Sequence, residues 1–189
     1  MKKIKKWQLL EETDVSPSSW FPLYKHKVRL ANGKIVEDYY ISKLGDVAMV
    51  VPITSNNEMV FVRQYKHGAR ELIIELPAGR IKSGLEPKDV AKEELREETG
   101  YVANNLIELG AIYGSPSKDA LRVFGYLAKD LSVRVEQYLD DNEEIEVVLI
   151  PLNKVDGRIK KGEIMASDTI AFIKLAQLKH PDIFRWKSY

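Results

Sequence analysis

The sequence predicts an α/β protein, in which a small antiparallel β unit precedes a mixed α/β body. Two observations predict this class. Short apolar runs alternate with turn signals along most of the chain, as they do in strands. Two longer segments carry the start and stop signals of helices. A boundary near Gly45 divides the chain into an N-terminal β unit, residues 1–44, and a body, residues 45–189.

The bulk composition limits the possible functions. The chain has 189 residues, a formal net charge of +1 and no cysteine. The balanced charge argues against nucleic acid or a membrane as a partner, and the lack of cysteine excludes disulfides and thiolate metal sites. The three histidines lack the spacing of a zinc site, and no apolar run is long enough to span a membrane. We therefore expect a cytoplasmic enzyme or binding protein.

The first predicted element is a hairpin over residues 22–44. The runs LYKHKVRL and KIVEDYYI flank Asn32 and Gly33, and Asn-Gly is the strongest short signal for a hairpin turn. One hairpin alone is only marginally stable in water. We therefore expect this unit to pack on a second copy in a symmetric homodimer.

The body continues with strands and two helices. The continuous apolar run DVAMVVPI predicts a buried strand, and MVFVRQY and ELIIELPAG predict two more. A helix is predicted over Pro87–Thr99, since proline suits the first turn and Gly100 suits a left-handed stop. Further strands are predicted at residues 107–113, 122–127 and 145–150, and a last helix at about residues 168–179.

Acidic residues are concentrated on the first predicted helix. At 3.6 residues per turn, Glu94, Glu97 and Glu98 share the side that carries Val90 and Ala91. Three carboxylates on a semi-buried face repel one another, and their burial is costly unless something compensates the charge. The opposite, solvated face collects Lys88, Asp89, Lys92, Glu93, Arg96 and Thr99.

Two kinds of compensation are open. Lysines and arginines from neighbouring strands would pair with the carboxylates in an ordinary structural cluster. Alternatively, the carboxylates would hold Mg²⁺, the hard cation that joins carboxylate to phosphate oxygens. The inward placement and the glycine loop before the helix favour the metal site.

The segment resembles the sequence motif of the Nudix hydrolases: Gly, five residues, Glu, seven residues, then Arg-Glu-apolar-x-Glu-Glu-x-Gly-apolar. Leu85 and Glu93 depart from it, because the family has there a glutamate and an arginine that brace the loop and helix. The resemblance implies the Nudix fold, a mixed β-sheet sandwiched between helices. The matching residues, in the family's spacing, are Gly79, Glu94, Leu95, Glu97, Glu98, Gly100 and Tyr101.

Nearly the whole chain resembles the ADP-ribose pyrophosphatase branch of that family. VRQYKHGARELIIELPAGRI and GSPSKDALRVFGYLAKDL flank the motif as in that branch, DDNEEIEVVLIPL resembles its acidic loop, and GEIMASDTIAFIKLA resembles its closing helix. Pro116 stands at the branch's marker proline, whereas Ser117 and Leu121 replace a glycine and a glutamate. Because leucine cannot act as a base, the resemblance places the base at Asp141 and a further metal ligand at Glu143.

The resemblance implies a magnesium site, with Mn²⁺ as an alternative ion. Bound divalent ions would polarise a phosphoryl group and lower the pKa of a water. The implied metal ligands are the carbonyl of Ala78, Glu94, Glu98 and Glu143, and the implied catalytic residues are Glu97 and Asp141.

Four further residues are candidate substrate contacts. Arg63 and Arg70 would hold a phosphate or the ribose, since guanidinium forks match phosphate oxygens. Trp20 would stack on a base, and Pro116 would lie beside the substrate. The alternatives are structural ion pairs for the arginines and a hairpin core or interface for the aromatic side chain.

Taken with the resemblance, these features predict Mg²⁺-dependent hydrolysis of a nucleoside diphosphate sugar, with ADP-ribose giving AMP and ribose 5-phosphate. The expected partner is thus a small-molecule nucleotide sugar. GDP-mannose or another nucleoside diphosphate compound stays open as the substrate. A nucleotide-binding module with weak turnover also stays open, because Leu85, Glu93 and Leu121 depart from the family pattern.

Overall fold

The computed structural model describes residues 3–184, and the chain divides into two compact units. The first unit contains the described residues up to Gly45 together with Tyr113–Arg122. The second contains Asp46–Ile112 and the described residues from Val123 onward. A segment between two strands of the body therefore belongs to the N-terminal unit, which a linear boundary near Gly45 does not anticipate.

The first unit is built on a three-stranded antiparallel sheet with the order β1-β2-β3. The predicted hairpin is confirmed, because the Gly33 N–H donates to the Leu30 carbonyl at 2.9 Å and closes the turn. The segment Tyr113–Arg122 joins the end of this sheet, where the Ser42 N–H donates to the Lys118 carbonyl at 2.9 Å. The three strands are β1 (Gln8–Asp14), β2 (Leu23–Arg29) and β3 (Ile35–Ser42).

The second unit is built on a seven-stranded mixed sheet. Its main order is β10-β5-β4-β9-β8, with β6 paired to β5 and β7 paired to β4. The β4–β9 pair is parallel and the pairs made by β5 are antiparallel, so the predicted α/β class with a mixed sheet is confirmed. The strands are β4 (Val47–Thr54), β5 (Glu58–Lys66), β6 (Glu71–Glu75), β7 (Ala78–Arg80), β8 (Ile107–Tyr113), β9 (Arg122–Leu131) and β10 (Glu146–Pro151).

The core of this unit lies where helix α1 (Pro87–Thr99) packs against β4 and β7. The apolar run predicted to form a buried strand does so, since every residue of β4 after Val47 is buried. Val90, Ala91 and Leu95 form the buried stripe of α1, and burying a Val or Leu side chain contributes about 1.5–3 kcal/mol. The helix thus has a fixed rotation about its axis, and that rotation decides where its glutamates point.

Among the described residues, this unit has two more α-helices and a short 3₁₀ helix, Pro181–Phe184. Helix α2 (Leu152–Lys160) was not predicted, and its short polar sequence is held by the buried Leu152 and Val155. Helix α3 (Ser167–Lys179) confirms the predicted last helix. The hydroxyl of the buried Thr169 accepts the N–H of Leu76 at 3.0 Å, which ties α3 to the segment between β6 and β7.

None of the helices found among residues 3–184 combines the length and the apolar character needed to cross a membrane. The expected cytoplasmic location stays a prediction.

Candidate active site

The carboxylate of Glu94 lies directly against the backbone of Gly79. A β-carbon built on residue 79 would come within 1.8 Å of Oε1 of Glu94, far inside any real contact. The residue before the glycine, Ala78, opens β7 and pairs with Met49 of β4. Gly79 itself lies in strand β7, so the backbone of this short strand forms the cradle for the Glu94 carboxylate.

Glu98 is the most deeply buried acidic side chain of the site, with 5% of its surface exposed. Its Oε2 accepts the N–H of Ala78 at 3.0 Å. Burial, followed by the nearby charge of Glu94, raises the pKa of Glu98 well above the ordinary glutamate value. A carboxylate in this position is held toward the Ala78–Gly79 backbone, but its negative charge is poorly solvated.

The ionised form of Glu94 is also disfavoured. Burial raises the pKa of Glu94 to about 7, and the charges of Glu97 and Glu143 add to the effect. Burial and the charge of Glu93 raise the pKa of Glu97. Unlike the other two, Glu97 lies nearer the rim and pairs with Arg96 at 3.1 Å. The inward placement predicted for Glu94, Glu97 and Glu98 is therefore found for Glu94 and Glu98, while Glu97 lies at the rim, and Glu93 is exposed as predicted.

One residue of the helix was assigned to the wrong face. Thr99 was predicted to be solvated, but it is fully buried. Its hydroxyl donates to the Leu95 carbonyl and accepts the Tyr101 N–H at 3.1 Å. The helix ends at this point, and the chain turns back over the residue, so a helical wheel drawn for an isolated helix does not apply there.

The basic side chains nearby do not neutralise the two inner glutamates. Within residues 3–184, no lysine or arginine lies within 4.0 Å of the carboxylate of Glu94 or Glu98. Lys66, whose charge acts on Glu98, instead pairs with Glu75 at 2.6 Å. Of the two kinds of compensation considered, pairing with cations from neighbouring strands is therefore not what the structure shows.

The donor set fits a divalent cation in its chemistry. The oxygens are hard ligands, they are partly desolvated, and their repulsion is relieved by a cation. In the present side-chain positions, no three Asp, Glu or His residues of the described chain converge closely enough to hold one ion. Holding one ion with three of these side chains therefore requires their carboxylates to turn toward one another.

The acidic loop that follows β9 lies near the helix. The Tyr138 N–H, just before the loop, donates to the Glu97 carbonyl at 3.0 Å, and the charges of Glu143 and Asp140 raise the pKa of Glu94 and of Glu97, respectively. The carboxylate of Glu143 accepts the N–H of Asp140 at 3.2 Å, and Asp141 is exposed. The structure therefore brings the loop and the helix together, while the roles of Asp141 and Glu143 stay predictions.

The candidate substrate contacts lie in both units. In the second unit, Nε of Arg63 donates to the Glu146 carboxylate at 2.9 Å, across the β5–β10 pair. Arg70 is exposed in the turn between β5 and β6 with a positive φ of 56°. Trp20, which is 81% exposed, and the exposed Pro116 belong to the first unit.

Sequence reasoning missed the polar residues that surround Glu98. Glu75 accepts hydrogen bonds from Gln64 at 2.9 Å and from Lys66 at 2.6 Å, and its charge acts on Glu98. Gln137 donates to the Glu98 carbonyl at 2.5 Å. The position of Glu75, three residues before Ala78, was the one available signal. Gln137 gave none, because it lies 39 residues from its partner.

Comparisons with known proteins agree with this geometry. Residues 43–169 match the family model of the NUDIX domain, and residues 7–42 match that of the nucleoside diphosphate sugar hydrolase N-terminal domain. The chain is 34% identical to an ADP-ribose pyrophosphatase of Bacillus subtilis over 176 residues, which cover 90% of this chain and 95% of that protein. It is 32% identical to a methanol dehydrogenase activator of Bacillus methanolicus over 153 residues, which cover 80% and 82%.

A solved structure shows the same fold. The crystal structure of an ADP compounds hydrolase superposes with a TM-score of 0.83 and 21% identity. The match covers 96% of this chain and 98% of that one. At this identity the likeness establishes the fold.

Proposed function

The chain belongs to the Nudix hydrolase family, and on that premise we propose that it hydrolyses the diphosphate of a nucleoside diphosphate sugar in a Mg²⁺-dependent reaction. ADP-ribose is the proposed substrate, and AMP and ribose 5-phosphate are the products. The related proteins support this choice, since one of them is an ADP-ribose pyrophosphatase that aligns over 95% of its length. Residues 7–42 also match the N-terminal domain of nucleoside diphosphate sugar hydrolases.

One observation carries the proposal. Glu94 and Glu98 point inward from α1 onto the Ala78–Gly79 backbone, and no basic side chain of the described residues neutralises them. Leaving buried carboxylates without a partner is costly in a scaffold that has no use for them. A site that binds a divalent ion and a diphosphate explains why these two carboxylates are buried without a basic partner.

Nudix ADP-ribose pyrophosphatases generally use a divalent metal. In this chain Glu94, Glu98, Glu143 and the Ala78 carbonyl would hold the ion, for which we propose Mg²⁺. When bound, the ion supplies charge neutralisation and polarises the phosphoryl group.

The remaining steps use the protein's own residues. We assign Asp141 as the base that takes a proton from the attacking water, because it lies in the acidic loop beside the helix. The water oxygen bonds to phosphorus while the bond from phosphorus to the bridging oxygen breaks. Glu97, nearer the rim than its neighbours, would orient the water.

Arginines and first-unit residues would position the substrate. Arg63 would exchange its partner Glu146 for a phosphate oxygen, and Arg70 presents an exposed guanidinium at the β5–β6 turn. Arginine suits this task because its planar fork matches two phosphate oxygens. Trp20 and Pro116 are the proposed contacts to the nucleoside.

We also propose that the protein is a homodimer that pairs through its first unit. The three-stranded sheet has one buried apolar side chain, Val28, among the described residues, and small sheets need further packing to be stable. A native mass of twice 21.6 kDa is expected, whereas a monomeric mass contradicts this part of the proposal. The exposed large apolar side chains of the unit include Trp7, Leu9, Val15, Trp20, Phe21, Ile35 and Tyr40.

A second candidate function is nucleotide binding with weak turnover. Leu85 is 48% exposed and Glu93 is exposed, so neither forms the brace that the family motif supplies at these positions. Such a module would bind ADP-ribose tightly and release no AMP.

The test is a substrate panel with and without Mg²⁺. Wild-type protein is incubated with ADP-ribose, GDP-mannose and a dinucleotide, and nucleoside monophosphate release is measured by chromatography. The same assay on Glu98→Gln shows whether turnover depends on the site. Fast, Mg²⁺-dependent release from ADP-ribose in the wild type supports the proposal. Tight binding by calorimetry without metal-dependent release supports the binding module instead.

A further inference from the structure

A short extended segment, Arg134–Tyr138, lies across the C-terminal end of α1, and we call it the strap. The Val135 N–H donates to the Gly100 carbonyl at 2.8 Å, and the Tyr138 N–H donates to the Glu97 carbonyl at 3.0 Å. Between them, Gln137 donates from its side-chain amide to the Glu98 carbonyl at 2.5 Å. Nε of Arg134 donates to the Thr99 carbonyl at 3.3 Å.

The strap therefore donates hydrogen bonds to four consecutive carbonyls, from Glu97 to Gly100. The last carbonyls of a helix have no partner within the helix and carry its partial negative charge. Here a segment from elsewhere in the chain supplies the donors. Its fit is close, because a β-carbon on Gly100 would lie 2.2 Å from the Val135 carbonyl oxygen. These hydrogen bonds hold the strap against the C-terminal end of α1.

The chain leaves the strap directly into the acidic loop. Asp140 follows Tyr138 by two residues, and Asp141, Glu143 and Glu144 come next. The loop carries the same sign of charge as the helix face that it approaches, and Glu143 and Glu94 repel each other. Repulsion alone would move the loop away from the glutamates. The hydrogen bonds of the strap, which ends two residues before Asp140, oppose this movement.

We infer that Gln137 is a positioning residue, whose hydrogen bond to the Glu98 carbonyl holds the acidic loop beside the inner glutamates. Gln137 is neither a proposed metal ligand nor a proposed substrate contact, and it acts through the backbone that joins it to Asp141 and Glu143. The inference rests on the proposed function only for its effect on turnover. Its effect on the order of the loop is independent of the substrate.

The test compares Gln137→Met with Glu136→Gln. Methionine keeps the length of the side chain and removes the donor, while Glu136 is the neighbouring exposed residue and serves as the control. Hydrogen exchange at the Tyr138 amide is measured without substrate or metal. We expect exchange in Gln137→Met to accelerate about three- to tenfold, the change that the loss of one net hydrogen bond implies. Exchange in Glu136→Gln should match the wild type.

Turnover supplies the second readout. We expect kcat of Gln137→Met to fall by about tenfold or more with a small change in KM, since displacing a catalytic group by about 1 Å can cost ~100-fold. Raising NaCl from 0.1 to 1 M shortens the screening length from about 10 to about 3 Å. Because salt weakens the repulsion, it should recover part of the lost kcat relative to the wild type and Glu136→Gln.

Two results overturn the inference. One is wild-type exchange at Tyr138 in Gln137→Met. The other is a loss of kcat that follows a lowered melting temperature and does not respond to salt, which indicates general destabilisation. If the wild type hydrolyses no nucleotide at all, the proposed function fails, and the exchange experiment still decides whether Gln137 holds the loop.

Discussion

Oε1 of Glu94 occupies the space in which residue 79 would carry a β-carbon, so the side chain of one residue depends on the absence of a side chain on the other. This contact joins β7 to α1, although the two residues are 15 positions apart in the sequence. It places a carboxylate against Gly79, the residue that follows the proposed ligand carbonyl of Ala78. Substitutions on either side of the contact should therefore affect activity more than folding.

Gly79→Ala should displace the Glu94 carboxylate. Because the obstructing atoms belong to the end of a flexible side chain, the cost in unfolding free energy should be small, about 0.5–1.5 kcal/mol for a shifted rotamer. We expect kcat/KM to fall by about 100-fold, the effect of an ångström-scale displacement. Steady-state kinetics and thermal unfolding measure the two effects separately.

The matched control for that variant is Gly157→Ala. Gly157 lies in α2, and a β-carbon there meets no atom within 4 Å. This change should leave activity intact and raise stability by about 0.5–1 kcal/mol, since glycine is unfavourable inside a helix. If both variants retain full activity, the assigned role of the Gly79–Glu94 contact is wrong.

Glu98→Gln should abolish most turnover without unfolding the protein. The amide oxygen at position 98 can still accept the Ala78 N–H, while the buried negative charge is removed. We expect the melting temperature in EDTA to stay equal or rise. The value of kcat should fall by at least about 100-fold, given that changes to metal-site support alone cost roughly 10–100-fold.

The control for this charge removal is Glu93→Gln on the exposed side of the same helix. It should keep nearly full activity. Wild-type kcat in Glu98→Gln would refute the assignment of Glu98 to the metal site.

Mg²⁺ should stabilise the folded protein. An ion that binds only the native state at about 100 times its dissociation constant adds roughly 2.7 kcal/mol, and here it also relieves the repulsion between Glu94 and Glu98. Melting curves in EDTA and in excess Mg²⁺, matched in ionic strength with NaCl, measure this shift. The shift should be much smaller in Glu98→Gln, and its absence in the wild type would contradict a metal site.

Glu93→Arg should be tolerated or slightly stabilising. The position is exposed, and its present charge repels Glu94 and Glu97. An exposed ion pair contributes about 0.2–1 kcal/mol, so the gain in unfolding free energy should be of that order. Chemical denaturation measures it, with Glu93→Gln separating loss of repulsion from new attraction. A loss of several kcal/mol would show that the side chain does not face solvent.

Local signals predicted the parts of the fold that depend on neighbouring residues. The Asn32-Gly33 turn and helix α1, with its proline start and Gly100 stop, follow from short-range sequence preferences. β1 was missed because its sequence, QLLEETD, has little apolar alternation and is fixed by pairing with β2. α2 was missed because two buried side chains at its start, and not its polar sequence, hold it in place.

In the candidate site, too, the sequence predicted the features that depend on one element and missed those that depend on distant contacts. Helical periodicity was sufficient to point Glu94 and Glu98 inward, since that depends on one element alone. The burial of Thr99 and the role of Gln137 depend on a strap more than 30 residues away in the chain. The pairing of Lys66 with Glu75 depends on the approach of β5 and β6. Such contacts depend on tertiary structure, and the residue pattern of a single strand or helix does not predict them.

The bond between Leu76 and Thr169 spans 93 residues, and this has a consequence for the ribosome-bound chain. When α1 first emerges from the ribosome, the N–H of Leu76 has no Thr169 hydroxyl to which it can donate. That acceptor arrives only after α3 has been synthesised. A nascent chain arrested before residue 169 therefore lacks this hydrogen bond, and the candidate site is completed late in synthesis although its glutamates are made midway.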